Sequence, residues 1–127
     1  MQRRYMSRPT FKLTEKGLDS GCREIQLEGE LDLAVANRLD EALERAASEG
    51  DRVVIGLERC TFIDSTGIAI IVKAHRELAQ QGRALTVYGA SDQVLRILSI
   101  TGLTNDGLVF ENAGEARSAA AESDSVS

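Results

Sequence analysis

Apolar and polar residues alternate along residues 23–31. The apolar positions are Ile25, Leu27 and Leu31, and the polar positions are Glu24, Gln26, Glu28 and Glu30. A period of two residues is typical of a strand with one side in the core and the other in solvent. A shorter alternation at Phe11 and Leu13, followed by the turn-rich segment 18–21, predicts an antiparallel partner strand before it.

The pattern changes to a helical period after Asp32. Leu39, Leu43 and Ala46 share one face of the helix that this period predicts, and Gly50 marks its end. Residues 53–55 are all apolar, which is typical of a central strand that is covered on both faces. The first helix is therefore expected to connect two strands.

The second half of the chain repeats this alternation of elements. Residues 66–81 predict a second helix that ends at Gly82, and residues 83–89 predict a buried strand. A third helix is expected from a Ser91 cap to Gly102, before a short strand at residues 107–110. The apolar stripes of the two helices consist of Ile68, Ile71, Val72 and Leu78, and of Val94, Leu95, Leu98 and Ile100.

This order of elements predicts an α/β fold. We expect a mixed sheet of about five strands, with an antiparallel hairpin at its start and the remainder largely parallel, and three or four helices. Residues 10–112 are expected to form the one domain, after an amino-terminal tail over residues 1–9. From residue 113 onward Ala, Ser, Glu and Asp dominate, so residues 113–127 are expected to form a disordered tail.

Composition and charge narrow the class of protein. The chain has 127 residues, 43% of them apolar and 28% charged, which suits one globular domain. The net charge of −5 argues against a nucleic-acid partner, because phosphate binding requires clustered Lys and Arg. The one basic cluster is interpreted as part of a solvated tail. It consists of Arg3, Arg4 and Arg8.

Cysteine usage and the hydropathy of the chain address location and cofactors. The chain has no apolar run of about 18 residues and no apolar signal-peptide core, so we expect a cytoplasmic protein with no membrane partner. Cys22 and Cys60 stand alone, without the spacing of a metal site, and are interpreted as buried free thiols. No cofactor and no metal are expected.

The segment 62–68 carries the most specific chemistry. It joins a buried strand to a helix, and either Asp64 or Ser65 can cap the unsatisfied N–H groups of the first turn. Gly67 is expected to keep the surface open above that turn. Taken alone, the segment is merely a good helix cap. Its place at the carboxyl end of a parallel strand, where α/β folds position their sites, favours a function.

A hydrolase with Ser65 as nucleophile and His75 as base is the enzymatic alternative. If both residues lie on one helix, their ten positions amount to about 15 Å along its axis, which is beyond hydrogen-bond reach. No nucleophile elbow and no phosphate-binding loop accompany them. We therefore expect no enzyme, and interpret His75 as a partly buried structural residue.

A hydroxyl at the start of a helix also suits regulation by phosphate. A phosphoserine carries a charge of about −1.5 to −2, which a helix amino terminus tolerates. Beside Asp64, the same charge would repel a protein that docks closely over the loop. Phosphorylation of Ser65 would then release a partner while the domain stays folded.

With these elements in place, the chain resembles the STAS domains of bacterial anti-sigma-factor antagonists from about residue 10 to residue 110. The matching segments are residues 27–32, 62–67 and 95–103, of which the Asp-Ser-Thr-Gly motif is the most specific. The resemblance implies that an anti-sigma factor with serine-kinase activity phosphorylates Ser65. It further implies that the unphosphorylated form binds this kinase and frees a sigma factor, that a serine phosphatase resets the cycle, and that the protein regulates transcription in a stress response.

The resemblance also implies which residues meet the partner. Asp64, Thr66 and Gly67 would shape the docking surface, and Asp32 falls where the family keeps an acidic residue near the loop. The chain departs from the family at Gly56, where many members carry Asp. On the second helix, partner contacts are predicted at Ile70, Lys73 and Glu77, although an ordinary solvated face explains these three residues equally well.

Two functions remain open from the sequence. The first is a phosphorylation-regulated anti-sigma-factor antagonist. The alternative keeps the STAS fold but makes the chain a scaffold or a transport accessory subunit whose serine is never modified.

Overall fold

The computed structural model describes residues 11–18, 21–100 and 108–122, and strands and helices alternate along most of them. The strands are β1 (Lys12–Leu18), β2 (Cys22–Leu31), β3 (Arg52–Ile63), β4 (Leu85–Tyr88) and β5 (Val109–Phe110). The helices are α1 (Ala36–Ser48), α2 (Ser65–Gln80), α3 (Asp92–Ile100) and α4 (Ala113–Glu122). Gly50 and Gly82 follow the ends of α1 and α2 with φ of +80° and +73°, a conformation that glycine adopts without strain. The predicted tail 1–9, Gly102 and Gly107 lie outside the described residues.

The strands form one five-stranded sheet in the order β1-β2-β3-β4-β5. β1 pairs with β2 in antiparallel fashion, and all other neighbours are parallel. The predicted mixed α/β sheet is therefore confirmed, with four helices. In the β2–β3 pair Leu31 lies opposite Ile63, so both strands end at the same edge of the sheet.

β1 lies at one side of this sheet and is mostly polar. Its exposed residues are Lys12, Thr14, Glu15, Lys16 and Gly17. β5, at the other side, contains only Val109 and Phe110. Both outer strands of the described sheet are thus poor templates for an additional strand.

Helices α1, α2 and α3 cover one face of the sheet, where most of the hydrophobic core lies. Their buried side chains are Leu39, Ala42, Leu43, Ala46, Ile68, Ile71, Leu78, Val94 and Leu98. Strand residues that they meet include Ile25, Leu27, Val53, Ile55, Leu85 and Val87. The predicted stripes of α1 and α2 are confirmed in outline, but Leu95 and Ile100 of α3 are 37% and 81% exposed and do not belong to the core.

The opposite face of the sheet is covered by α4. Ala116 and Ala120 are fully buried there in a cluster with Cys22, Val54 and Tyr88. Hydrogen bonds also fix the helix: the Thr86 hydroxyl donates to the Ala116 carbonyl at 2.9 Å, and the Arg52 guanidinium donates to the Ala121 carbonyl at 3.3 Å. The prediction of a disordered tail from residue 113 is wrong over residues 113–122. Small side chains suffice to pack this helix, and residues 123–127 lie outside the described part of the chain.

A buried carboxylate anchors α4 to the sheet. Glu24 is 2% exposed. It accepts hydrogen bonds from Arg117 Nε at 2.6 Å and from the Tyr88 hydroxyl at 2.7 Å. Burial raises the pKa of Glu24, but the hydrogen bonds from Arg117 and Tyr88 outweigh it, and the net pKa is lowered. The expectation that Glu24 faces solvent is wrong, because α4 covers it.

Gly56 makes room for this polar cluster. A Cβ atom at this position would lie 2.6 Å from the Tyr88 hydroxyl and 2.7 Å from Gln26 Oε1. Gly56 pairs with Gln26 and Tyr88 in the middle of β3, far from the end of the strand. The departure from the family at this position therefore lies on the face beneath α4, away from the end of β3 that leads to Ser65.

Candidate functional site

The site is built where β2 and β3 end side by side. The Asp64 N–H donates to the Leu31 carbonyl at 3.1 Å, which ties the end of β3 to the end of β2. Because paired strands are about 4.8 Å apart, the next residues, Asp32 and Asp64, begin neighbouring loops. We call residues 30–35 and 61–66 together the carboxyl edge.

Asp64 caps α2. Its backbone is extended, with φ −89° and ψ −178°, and its Oδ1 accepts from the Gly67 N–H at 3.0 Å. Its carbonyl accepts the first intrahelical bond, from the Ile68 N–H at 3.0 Å. Of the two residues that the sequence left open as the cap, Asp64 fills this role.

Ser65 is the first residue of α2 and is exposed. Within the part of the chain that the structure describes, its hydroxyl makes no hydrogen bond to another protein group. Thr66 beside it is half-buried. The structure thus presents the Ser65 oxygen to solvent at the positive end of a helix whose cap is made by a different side chain.

Gly67 faces the sheet. It is buried, and a Cβ atom there would lie 2.7 Å from Leu31 Cδ2 and 2.8 Å from Ile63 Cγ2. The prediction that Gly67 leaves the outer surface open is wrong. Its missing side chain instead lets the first turn of α2 approach the ends of both strands, so that Gly67 positions Ser65 from below.

Asp32 is brought to this edge by a tight turn. Its Oδ1 accepts from the Ala34 N–H at 3.0 Å, and its carbonyl accepts from the Val35 N–H at 3.1 Å. The side chain is half-buried beside the strand that carries Asp64. The family resemblance implied an acidic residue near the Ser65 loop, and in the structure the pairing of Leu31 with Ile63 makes the loops that follow β2 and β3 neighbours.

Two exposed apolar residues of the carboxyl edge were missed by sequence reasoning. Leu33 is 74% exposed and Phe62 is 43% exposed. A usable signal for Leu33 was present, since it is a large apolar residue directly after a strand and outside any periodic pattern. Phe62 gave no such signal, because it stands inside a strand.

The α2 residues predicted to meet a partner lie along a groove between α1 and α2 with a volume of about 400 Å³. Lys73 and Glu77 are exposed, whereas Ile70 is half-buried against the core. Asp40 and Glu44 of α1 line the opposite side. The groove begins beyond the first turn of α2, so these residues extend the site along the helix.

His75 has a structural contact. Its Nδ1 lies 3.1 Å from the Leu85 carbonyl oxygen, and the side chain is half-buried, as predicted. Ser65 and His75 both belong to α2, ten positions apart, so they do not form a nucleophile–base pair. The thiols of Cys22 and Cys60 are free and buried, as expected, and burial raises the pKa of both.

Residues 11–18, 21–100 and 108–122 contain no group of three His, Cys, Asp or Glu side chains that could hold a metal ion. In the same ranges, no helix has the length and apolar character needed to span a bilayer.

The chain is similar to known proteins over most of its length. The STAS domain family matches residues 16–116. The anti-sigma-B factor antagonist of Staphylococcus aureus is 35% identical over 92 residues, which make up 72% of this chain and 83% of that protein.

Solved structures share the fold at lower identity. An anti-sigma factor antagonist from Mycobacterium paratuberculosis has a TM-score of 0.78 at 20% identity, covering 87% of this chain and 94% of that one. The Bacillus cell fate determinant SpoIIAA in its phosphorylated form has a TM-score of 0.68 at 21% identity, covering 84% and 94%. Matched over most of its length by the family and by the staphylococcal relative, the chain belongs to the STAS domain family, among the anti-sigma-factor antagonists.

Proposed function

We propose that this antagonist is switched by phosphorylation of Ser65. In its unphosphorylated form it binds an anti-sigma factor that is a serine kinase, and a sigma factor is released. The kinase transfers the γ-phosphoryl group of ATP to the Ser65 oxygen, whose proton leaves, and a serine phosphatase reverses the modification. The observation that carries this proposal is the exposed hydroxyl of Ser65, which bonds to no group of the described residues and stands beside a separate capping residue.

The division of work between Asp64 and Ser65 makes such a switch compatible with the fold. A capping serine would lose its acceptor geometry when modified, whereas here the bond from the Gly67 N–H ends on Asp64. The new charge would meet the positive end of α2, which favours it. The modified domain is therefore expected to stay folded.

The same charge acts against a docked partner. Asp32 and Asp64 already place two carboxylates at the carboxyl edge, and a phosphoserine would add about −1.5 to −2. A protein that buries this edge would have to remove a concentrated negative charge from water. Phosphorylation of Ser65 is thus expected to release the partner by electrostatics.

The proposed contact surface runs from the carboxyl edge onto α2. Asp32, Asp64, Ser65 and Thr66 would meet the anti-sigma factor at the edge, and Ile70 and Lys73 would extend the contact along the groove. Gly67 supports this surface by its packing against the strands. The hydrolase alternative is not supported, since the only histidine is about 15 Å from Ser65 along α2.

Phosphoryl transfer tests the acceptor. The chain is incubated with ATP and, one at a time, with each purified serine-kinase anti-sigma factor of its source organism, and its intact mass is measured. One of them is expected to add one phosphoryl group to the wild type and to Thr66→Ala, but none to Ser65→Ala. With that kinase, Ser65→Ala is expected to bind as tightly as the wild type and Ser65→Asp at least about tenfold more weakly.

Two outcomes would contradict the proposal. Phosphorylation that persists in Ser65→Ala would place the acceptor elsewhere. If no anti-sigma factor binds or modifies the wild type, an unmodified STAS scaffold or transport accessory subunit becomes the better description.

A further inference from the structure

Large apolar side chains are exposed at only a few described positions, and two of these lie in the carboxyl edge. Leu33 follows Asp32 in the loop after β2, and Phe62 precedes the end of β3. Their exposed fractions are 74% and 43%. Single exposed apolar residues are common on proteins, but two on neighbouring strand ends beside a free serine call for a partner.

The backbone holds both side chains in place. Leu33 lies inside the turn that Asp32 closes through its side-chain bond to the Ala34 N–H and its carbonyl bond to the Val35 N–H. Phe62 lies within β3, opposite Glu30 of β2. Because these segments are ordered before binding, a partner would not need to immobilise them, which favours affinity.

All charged residues of the carboxyl edge itself are acidic, and the exposed Arg38 and Arg59 lie just outside it. Residues 30–35 and 61–66 contain Glu30, Asp32 and Asp64 but no Lys or Arg. A complementary protein surface would therefore be apolar at its centre and basic around it. Ile63 points into the core, so Phe62 lies on the sheet face away from α2, and such a partner would wrap around the edge.

We propose that Leu33 and Phe62 are the apolar anchors by which the carboxyl edge binds its anti-sigma factor, on an apolar patch of the kinase that is surrounded by Lys and Arg. This inference rests on the proposed function. It extends the contact beyond α2 to the loop after β2 and to the far side of β3. Of the two anchors, Leu33 has the larger exposed fraction to bury.

The test measures the Kd for the kinase that modifies the wild type in the experiment above. Leu33→Ser and Phe62→Ser are expected to weaken binding at least about tenfold each, as is typical of anchor residues, while Leu33→Met retains wild-type affinity. Leu33→Lys is expected to bind more weakly than Leu33→Glu, because only the lysine is repelled by a basic rim. Circular dichroism and thermal unfolding check that each variant is folded. If Phe62→Ser unfolds, the Leu33 series decides alone.

Failure of this inference is distinguishable from failure of the proposed function. If Ser65→Asp releases the kinase while Leu33→Ser binds like the wild type, the anchors are wrong and the switch stands. If Leu33→Glu binds more weakly than Leu33→Lys, the proposed basic rim is wrong. If no anti-sigma factor binds the wild type, both proposals are overturned.

Discussion

Gly67 is clamped between two apolar side chains at the start of α2. Replacing it with alanine would normally favour a helix by about 1 kcal/mol. Here the added methyl group would lie 2.7 Å from Leu31 Cδ2 and 2.8 Å from Ile63 Cγ2. We therefore expect Gly67→Ala to lower the free energy of unfolding by about 1–3 kcal/mol, the range for an overpacked core, as measured by urea denaturation.

Gly114 provides the matched control, since it also lies in a helix. Its added Cβ would approach only Asn112 Oδ1, at 3.4 Å, which is ordinary contact. Gly114→Ala is expected to be neutral or slightly stabilising. A Gly67→Ala variant as stable as the Gly114→Ala variant would show that the first turn of α2 adjusts its distance from the strands without cost.

The Asp-Ser-Thr-Gly motif as a whole was more informative than any one of its residues. The Asp-Ser-Thr-Gly segment correctly indicated a helix start after a buried strand. It did not show which of Asp64 and Ser65 makes the cap, because both have a suitable oxygen. The role of Gly67 depends on Leu31, a residue of another strand, and the exposure of Phe62 depends on what covers its face of the sheet. Such contacts are not encoded in local spacing.

The ion pair between Arg117 and Glu24 is a charged contact between α4 and the sheet, beside the hydrogen bonds from Thr86 and Arg52. Arg117 binds Glu24 through Nε at 2.6 Å and Nη2 at 3.0 Å, and the helix otherwise buries only small side chains. Arg117→Ala leaves the Glu24 carboxylate buried without its cation. We expect the free energy that holds α4 on the sheet to fall by about 2 kcal/mol. This is less than the roughly 3–5 kcal/mol for breaking a fully buried pair, because the Arg117 side chain is 45% exposed.

Hydrogen exchange of the α4 amides is the direct measurement of this loss. In Arg117→Ala, the exchange rate is expected to rise above that of the wild type more over residues 113–122 than over α2, because α4 would detach before the core opens. Ser118→Ala, at an exposed position of the same helix, should leave exchange unchanged. Wild-type protection of α4 in Arg117→Ala would mean that the packing of Ala116 and Ala120 and the hydrogen bonds from Thr86 and Arg52 hold the helix without the ion pair.

The failure to predict α4 from the sequence has a physical reason. Element prediction relied on large apolar residues at helical spacing, which served well for α1 and α2. The inward face of α4 carries Ala116 and Ala120, because the sheet beneath it is already filled by Tyr88 and the Glu24 cluster. An alanine-rich segment with charged residues is hard to distinguish from a polar tail without knowledge of the face that it covers.

The ionisation of Glu24 links the stability of the folded protein to pH. Its pKa in the folded protein is lowered from the ordinary value of about 4.3, so its stabilising contribution is present above that value. The contribution is lost as pH falls through the lowered pKa. Glu24→Gln is therefore expected to be less stable than the wild type at neutral pH and to lose less stability on acidification.

Urea denaturation from pH 7 to pH 3 checks this expectation. The two stability curves should converge in acid, because the charged carboxylate is the difference between the proteins. Glu28→Gln, at a half-buried carboxylate on the same strand, serves as the control and should follow the wild-type curve. If the stability curves of Glu24→Gln and the wild type stay parallel throughout, protonation of Glu24 does not contribute to the loss of stability in acid.

The overall architecture was largely predictable because parallel β–α units leave a strong periodic pattern. Apolar runs marked β3 and β4, and the helical stripes marked α1 and α2. The apolar run of residues 53–55 predicted that β3 is covered on both faces, but the alternating pattern of β2 indicated one solvent-facing side, so the segment that forms the second layer was not predictable. In the structure α4 forms this layer, over Val54, Tyr88 and Glu24.

The polar outer strand β1 affects whether copies of the chain can pair with one another. Lys12 and Lys16 are exposed on this strand, and an incoming strand from another copy would have to desolvate them. At the opposite side β5 offers two residues, too few for lasting backbone pairing. Edge-to-edge pairing between copies of the chain is therefore disfavoured at both outer strands of the described sheet, which closes one route to aggregation.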